Sequence, residues 1–230
     1  MKIGGFQKTT LLDYPEQISS IIWTVGCNFN CPFCYNVDVV NKTAKTISEE
    51  EVFSYLQKRK NVIDGLVISG GEPFLQKDII SFCEKVKKMG YLVKIDTNGT
   101  FPEKLKQILD KKLVDYIAMD VKAPKKKYSD LAGKKVDIKK IQKSIDIIRE
   151  SGVDYEFKTT FVPGLLTKND IKEIGKWLDG SEKYFIQQFK NNIPTLSSNL
   201  QTTKSYSEEE LLDALEEVKP FFKYCDIRGT

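Results

Sequence analysis

Six stretches of the chain read as strands: Ile18–Val25, Asp64–Ser69, Tyr91–Asp96, Val114–Met119, Asp154–Val162 and Tyr184–Phe189. Each is rich in Ile, Val, Phe or Tyr and is bounded by Gly, Asn or Asp. Between them, apolar residues recur at helical spacing. Ser48 and Glu51 carry a capping-box signature ahead of Val52, Tyr55 and Leu56. Leu75, Ile79, Phe82, Cys83 and Val86 share a second helical face that Gly90 follows. Ile138, Ile141, Ile145 and Ile148 form a third, ended by Gly152, and another helix begins near Asn169. Ser207 and Glu210 open a last helix that is expected to bury Leu211, Leu212, Leu215 and Val218.

Strands alternating with helices predict an α/β fold, a parallel sheet with right-handed crossovers. No linker, repeat or low-complexity tract divides the sequence, so residues 1–230 read as a single domain, an open curved sheet or partial barrel. Asn191–Lys204, rich in Asn, Ser and Thr, reads as a long loop. In such folds chemistry gathers at the C-terminal ends of the strands. The unusual motifs all fall there.

Composition narrows the class. With 40% hydrophobic and 30% charged residues among 230, the chain is an ordinary globular one. A net charge of +4 gives no argument for nucleic acid or a membrane surface. Lysines do cluster: residues 122–143 hold nine, against only Asp130 and Asp137. This reads as a solvated face or as a docking face for an acidic partner. No stretch approaches the ~20 apolar residues of a membrane span, and the N-terminal run lacks the core of a signal peptide. Five cysteines, three within eight residues, do not make a secreted disulfide framework. Free thiols that bind metal suit a reducing cytoplasm.

Those three, Cys27, Cys31 and Cys34, are spaced Cys-x3-Cys-x2-Cys in a loop rich in Asn and Pro. Thiolates ligate iron–sulfur clusters, and three of them leave the fourth iron of a [4Fe–4S] cluster open to a substrate. Asn28, Asn30 and the loop amides are available to hydrogen-bond the sulfurs. A zinc site is the alternative. It needs a fourth ligand, and with no His in the chain that falls to Cys83, Cys225 or an acid. Cys83 lies on an apolar helix face and reads as core.

With the aromatic Phe33 just before the last cysteine, this loop resembles the radical S-adenosylmethionine superfamily. The resemblance implies that the open iron binds the amino and carboxylate groups of S-adenosylmethionine. One electron from the cluster then breaks the sulfonium to methionine and a 5′-deoxyadenosyl radical. The second strand ends in Gly70-Gly71-Glu72-Pro73, similar to the element with which the superfamily receives the cofactor's amino group. The third ends in Asp96-Thr97-Asn98-Gly99 and the fourth in Met119-Asp120-Val121-Lys122. Residues two apart share a strand face, so Asp96 with Asn98, and Asp120 with Lys122, point in pairs toward one cavity.

These ends resemble those of glycyl radical enzyme activases, where Asp96, Thr97, Met119 and Asp120 would gather a monovalent cation and Lys122 would be the active-site lysine. Lys158, five residues before Pro163, stands where pyruvate formate-lyase activase carries a cofactor-binding Arg. Gln187 and Gln188 are expected beside the adenine or ribose, or as plain strand-surface residues. The N-terminal run Gly5-Phe6-Gln7-Lys8-Thr9-Thr10-Leu11-Leu12-Asp13-Tyr14-Pro15 is similar to anaerobic ribonucleoside-triphosphate reductase activating proteins of the longer type. Three positions depart from that group: Tyr35 where His is expected, Glu16 where Gly is usual, and Asn30 where Arg is frequent.

The resemblance implies hydrogen abstraction from a glycine Cα of a partner, expected to be an anaerobic (class III) ribonucleotide reductase. It also implies a flavodoxin or ferredoxin as electron donor. The alternatives are a radical enzyme acting on a small molecule or peptide, and a metal-binding module without catalysis.

Overall fold

The six apolar runs all become strands, because nearly every residue in their centres is buried on one face or the other. A computed structural model describes residues 1–229 and places one eight-stranded sheet in chain order. The strands are β1 (Ile3–Thr10), β2 (Ser19–Thr24), β3 (Gly65–Gly70), β4 (Leu92–Thr97), β5 (Tyr116–Asp120), β6 (Asp154–Phe161), β7 (Ser181–Gln188) and β8 (Phe222–Arg228). From β2 to β8 all neighbours are parallel. Helices α1 (Val37–Asn41) and α2 (Glu49–Lys58) follow β2, α3 (Ile79–Lys88) follows β3 and α4 (Pro102–Asp110) follows β4. Then α5 (Tyr128–Ala132) and α6 (Ile138–Glu150) follow β5, α7 (Lys168–Trp177) follows β6, and α8 (Glu208–Val218) follows β7.

The sheet thus has eight strands where six were expected, and β1 runs antiparallel to β2. Both additional strands are edges. β1 and β8 are largely exposed or half-buried, so neither needs the continuous apolar run that marks a central parallel strand. Two helix expectations also change. Leu212 points to solvent on α8, and Leu75 lies in a short turn ahead of α3, each more than a third exposed. The caps agree better: Ser207 and Glu210 form a reciprocal capping box, and Thr167 with Asp170 forms another at the start of α7. Of the C-terminal tail, Ile227 and Arg228 belong to β8, while Thr230 lies outside the described residues.

Alternation along the strands sorts the two faces. Val93, Ile95, Ile117, Met119, Tyr155 and Phe157 join the main core under the helices. Their neighbours Lys94, Asp96, Tyr116, Glu156 and Lys158 lie on the other, inner face, where they pair with one another. A small apolar cluster of Tyr14, Ile21, Val67, Tyr116 and Ala118 sits on that face too.

Tyr14 reaches it from the β1–β2 turn, which is the role of the unusual N-terminal motif. Its ring packs 5.8 Å from that of Tyr116, and Lys94 donates to the Asp13 carbonyl at 2.5 Å. Two residues on, Glu16 has φ of 62°, in the left-handed region where a Cβ is crowded. This accounts for the Gly usual there. Glu16→Gly is therefore expected to stabilise the chain by up to about 1 kcal/mol, less what the freer glycine loses on folding. A urea-unfolding midpoint that fails to rise would contradict the strain.

Candidate active site

The cysteine loop leaves β2 through Gly26, whose φ is 98° and whose N–H donates to Val39 O at 2.7 Å. Phe29 and Phe33 are both buried and anchor the loop, Phe29 edge-on to Tyr128 at 6.4 Å. With its aromatics held in the core, the loop presents Cys27, Cys31 and Cys34 to one cavity. The Phe29 N–H donates to Cys27 Sγ at 3.3 Å. Asn28 and Asn30 donate to no cysteine sulfur. Asn28 instead exchanges hydrogen bonds with Asn98 and Thr100, at 2.9 and 2.8 Å.

The two glycines at the end of β3 are required by packing. A Cβ on Gly70 would stand 2.1 Å from Thr24 N, and one on Gly71 2.0 Å from Gly26 O. Through this contact the Gly71 N–H reaches Thr24 O and the Glu72 N–H reaches Gly26 O, both at 2.9 Å. The Gly-Gly step thus carries the β2–β3 ladder into the cysteine loop.

The cavity holds about 470 Å³ at the C-terminal ends of the strands. It is lined by the three cysteines, Phe33, Gly70, Gly71, Asp96, Thr97, Asn98, Asp120, Lys122, Lys158, Gln187 and Gln188. Besides Met119, Glu72 is the expected residue that does not line it. Its side chain is 0% exposed and turns beneath the site, where it accepts from Thr97 Oγ1 (2.9 Å), Asn98 N (2.7 Å) and Phe74 N (3.1 Å). Burial pushes its carboxyl up to about 7 against these three hydrogen bonds. Glu72 therefore shapes the ends of β3 and β4. Met119 likewise turns its side chain into the core, against Gly99.

Charge is arranged in pairs. Lys158 stands 3.2 Å from Asp96 Oδ2 and Lys122 the same distance from Asp120. Burial opposes ionisation of Asp96, but Lys158 and Lys94 outweigh it and hold the carboxyl below its ordinary range. Lys122 also lies 5.9 Å over the Phe33 ring. Burial works against its charge, and Asp120, Cys31 and Cys34 more than restore it. The thiols are the reverse case. Burial pushes Cys27 up to about 11 and Cys31 up to about 12, and Lys122 pulls both down only in part.

Three features escaped the reading of the sequence. Glu156, fully buried on β6, receives both arms of Arg228 at 2.6 and 2.8 Å and the Tyr116 hydroxyl at 2.8 Å. The signal was present in Glu156 and Lys158, two charges on one face of an otherwise apolar strand. Second, residues 190–197 strap across the cysteine loop: Leu196 and Ser197 N–H donate to Cys34 O (3.1 Å) and Pro32 O (2.9 Å). Third, Tyr35 stacks on Phe189 at 6.0 Å, and its hydroxyl accepts from Lys190 N at 2.6 Å.

The donor set fits a [4Fe–4S] cluster with one iron free of protein ligands. Three thiols face an open cavity, while Cys83 is in the core and Cys225 is on β8, neither lining it. Asp96 Oδ1 is a buried oxygen with no hydrogen-bond partner, 3.7 Å from Lys94 Nζ, so it keeps acceptor capacity for a polar cofactor. The sequence profile of the Radical SAM superfamily matches residues 21–178, from β2 to the end of α7.

The chain belongs to the radical SAM superfamily. A relative in Methanocaldococcus jannaschii, named as a candidate glycyl-radical enzyme activating enzyme, is 39% identical over 193 residues, covering 82% of this chain and 80% of that one. The pyruvate formate-lyase-activating enzyme of Clostridium pasteurianum is 30% identical over 127 residues, 53% of this chain and 52% of its own. Among solved structures, Streptococcus suis SuiB bound to its precursor peptide SuiA superposes with a TM-score of 0.69 at 16% identity. That match covers 91% of this chain and 48% of SuiB, so the chain spans about half of SuiB's length. This likeness establishes a shared fold, an open and curved parallel sheet. No helix among the described residues is long and apolar enough to cross a membrane.

Proposed function

We propose that this chain is an activase that abstracts a hydrogen atom from a glycine Cα of a partner protein. The observation that carries the reading is the convergence of three thiols and two carboxylate–ammonium pairs on one cavity at the strand ends. The names of the relatives in M. jannaschii and C. pasteurianum support it.

In this reading Cys27, Cys31 and Cys34 each ligate one iron. The bound cluster and S-adenosylmethionine supply reductive cleavage of the sulfonium and a primary carbon radical. The chain's part is to bind, orient and exclude water. Gly70 and Gly71 let backbone approach the amino group of the cofactor, with Glu72 holding that turn from below. Asp96, Thr97, Asn98, Asp120 and Lys158 line the polar wall against the rest of the cofactor, and Gln188 stands at the end of β7. Phe33 excludes water beside Cys34, and Lys122 holds a fixed positive charge between Asp120 and the thiols. A monovalent cation beside Asp96, Thr97, Met119 and Asp120 would find at Asp96 Oδ1 an acceptor without a hydrogen bond, 3.7 Å from Lys94 Nζ. A single domain over residues 1–230 provides all of these groups.

The partner is proposed to be an anaerobic (class III) ribonucleotide reductase. The resemblance of Gly5–Pro15 supports this, and the structure gives that run the role of closing the inner face with Tyr14. A flavodoxin or ferredoxin is the proposed electron donor, and a reducing cytoplasm the compartment. The deciding experiment is anaerobic reconstitution with iron and sulfide, then reduction with S-adenosylmethionine and either a class III reductase or pyruvate formate-lyase. A glycyl radical signal in the reductase, with one 5′-deoxyadenosine per radical, is expected. Multiple turnovers of cofactor with no protein radical would overturn the activase reading, and a radical only in the lyase would reassign the partner.

A further inference from the structure

The lysine-rich segment has a position that its composition does not reveal. Residues 122–143 carry a net charge of +7, so the rest of the chain is net −3. In the fold this segment packs against the cysteine loop. Asn30, between Cys27 and Cys31, donates its N–H to Ala132 O at 2.8 Å. A Cβ on Gly133 would stand 2.2 Å from Asn30 O. Phe29 and Tyr128 pack edge-to-face beside this contact. Lys134 and Lys135 follow Gly133 directly, and each step adds only ~3.8 Å between Cα atoms.

Several of these lysines have no internal task. Lys127 is taken by Asp170, Lys143 by Glu103, and Lys125 lies over the Trp177 ring. Among the described residues, Lys126, Lys134, Lys135, Lys139 and Lys140 form no ion pair, and all five are exposed. The segment's own acids, Asp130 and Asp137, are exposed too, and Asp137 caps α6 through the Lys139 N–H. A solvated lysine face has no reason to sit on one side of the molecule. This one adjoins the loop that holds the three thiols, through Ala132 and Gly133, and none of these five lysines lines the cavity.

We propose that the exposed lysines of the α5–α6 segment are the docking face for an acidic one-electron carrier protein. The inference rests on the cluster reading of Cys27, Cys31 and Cys34. Docking here brings the carrier to the loop without obstructing the cavity in which cofactor and partner glycine must meet. One electron leaves the carrier's anionic flavin hydroquinone, leaving a neutral semiquinone, and enters the cluster; no proton need move. A positive patch also steers an acidic partner into this orientation and makes the encounter salt-dependent.

The test compares two charge-reversed forms of the full, reconstituted chain. One carries Lys134→Glu, Lys135→Glu and Lys139→Glu; the other carries Lys58→Glu at the end of α2, Lys60→Glu in the turn after it and Lys88→Glu at the end of α3, with the same change in net charge. The probe is a purified acidic flavodoxin, with dithionite as the small reductant. Stopped-flow reduction by flavodoxin hydroquinone is expected to slow by roughly tenfold or more in the first form only. Reduction by dithionite should stay within about twofold. Anisotropy of labelled, oxidised flavodoxin should show weakened binding in the first form whether or not the cluster is loaded. Equal slowing in both forms, or unchanged rate and binding in the first, overturns the docking face. If wild-type chain takes up no cluster, the cluster reading fails while the binding arm still decides the surface. If the first form does not fold, the wild type decides, since raising salt from 50 to 200 mM must weaken flavodoxin binding several-fold.

Discussion

Cys31→Ala is expected to lose most of its iron and sulfide on reconstitution and to make no 5′-deoxyadenosine, a fall of at least about tenfold in each. Cys31 is the middle ligand of the triplet and the most enclosed, with 6% of its surface exposed. Its thiol is pushed up to about 12 by burial, so at neutral pH it is protonated unless a cation meets it. Iron binding must displace that proton, which a buried site allows only where the metal replaces the lost hydration. Two cysteines on the loop leave two irons of the cluster without protein ligands. Cys83→Ala is the informative comparison. Cys83 is wholly buried in the main core and away from the cavity, so its loss should cost about 1 kcal/mol of stability and leave iron content unchanged. Iron analysis and thermal unfolding of the two variants separate ligation from packing. Wild-type iron in Cys31→Ala would remove the basis for the proposed site.

The largest stability effect is expected at Glu156. Removing its carboxylate by Glu156→Ala strands Arg228, the Tyr116 hydroxyl and part of the counter-charge of Lys94 on the inner face. Breaking a buried pair from one side costs about 3–5 kcal/mol, and Arg228, at the rim of the cavity, recovers some hydration, so about 3 kcal/mol is expected. The double change Glu156→Leu with Arg228→Met should recover more than half of that, because it leaves no guanidinium behind. Burial raises the Glu156 carboxyl, but Arg228 and Lys94 outweigh it and hold it below the ordinary 4.5. A depressed acid adds stability that is complete above its unfolded value near 4.5 and is lost as pH falls through the lower folded value. Urea unfolding should therefore show the full gap between wild type and Glu156→Ala at pH 7, shrinking below about pH 4.5. A gap under 1 kcal/mol at pH 7, or one that grows in acid, would contradict the buried-pair account.

Both predictions concern residues that the sequence treats very differently. Cys31 stands in a spacing that chance rarely produces, and its chemistry can be argued from the spacing alone. Glu156 stands in the strand Asp-Tyr-Glu-Phe-Lys-Thr-Thr-Phe, where its charge looks like ordinary alternation with solvent. The solvent-like face of β6 is instead the interior of a curved sheet, and Glu156 meets its partner 72 residues away on β8. Contacts at that separation leave no local pattern.

The same division runs through the whole molecule. The sequence by itself determined the six central strands, because their Ile, Val, Phe and Tyr residues run close together between Gly, Asn or Asp. It determined the cysteine loop and the strand-end motifs too, since ligand spacing and the i, i+2 rule are local. All the expected site residues except Glu72 and Met119 line the one cavity, because parallel strands with helical crossovers bring their C-terminal ends together. Only the tertiary structure decided the rest. It added β1 and β8, edge strands whose half-exposed residues carry no apolar signature. It turned Glu72 away from the cavity and under the turn, a choice set by the donors that Thr97 and Asn98 offer from the next strand. It strapped residues 190–197 over the cysteine loop and packed the lysine-rich segment 122–143 against it. In each case the deciding partner is far off in the chain, and hydrogen bonds and charge pairs of that range depend on how the sheet curves.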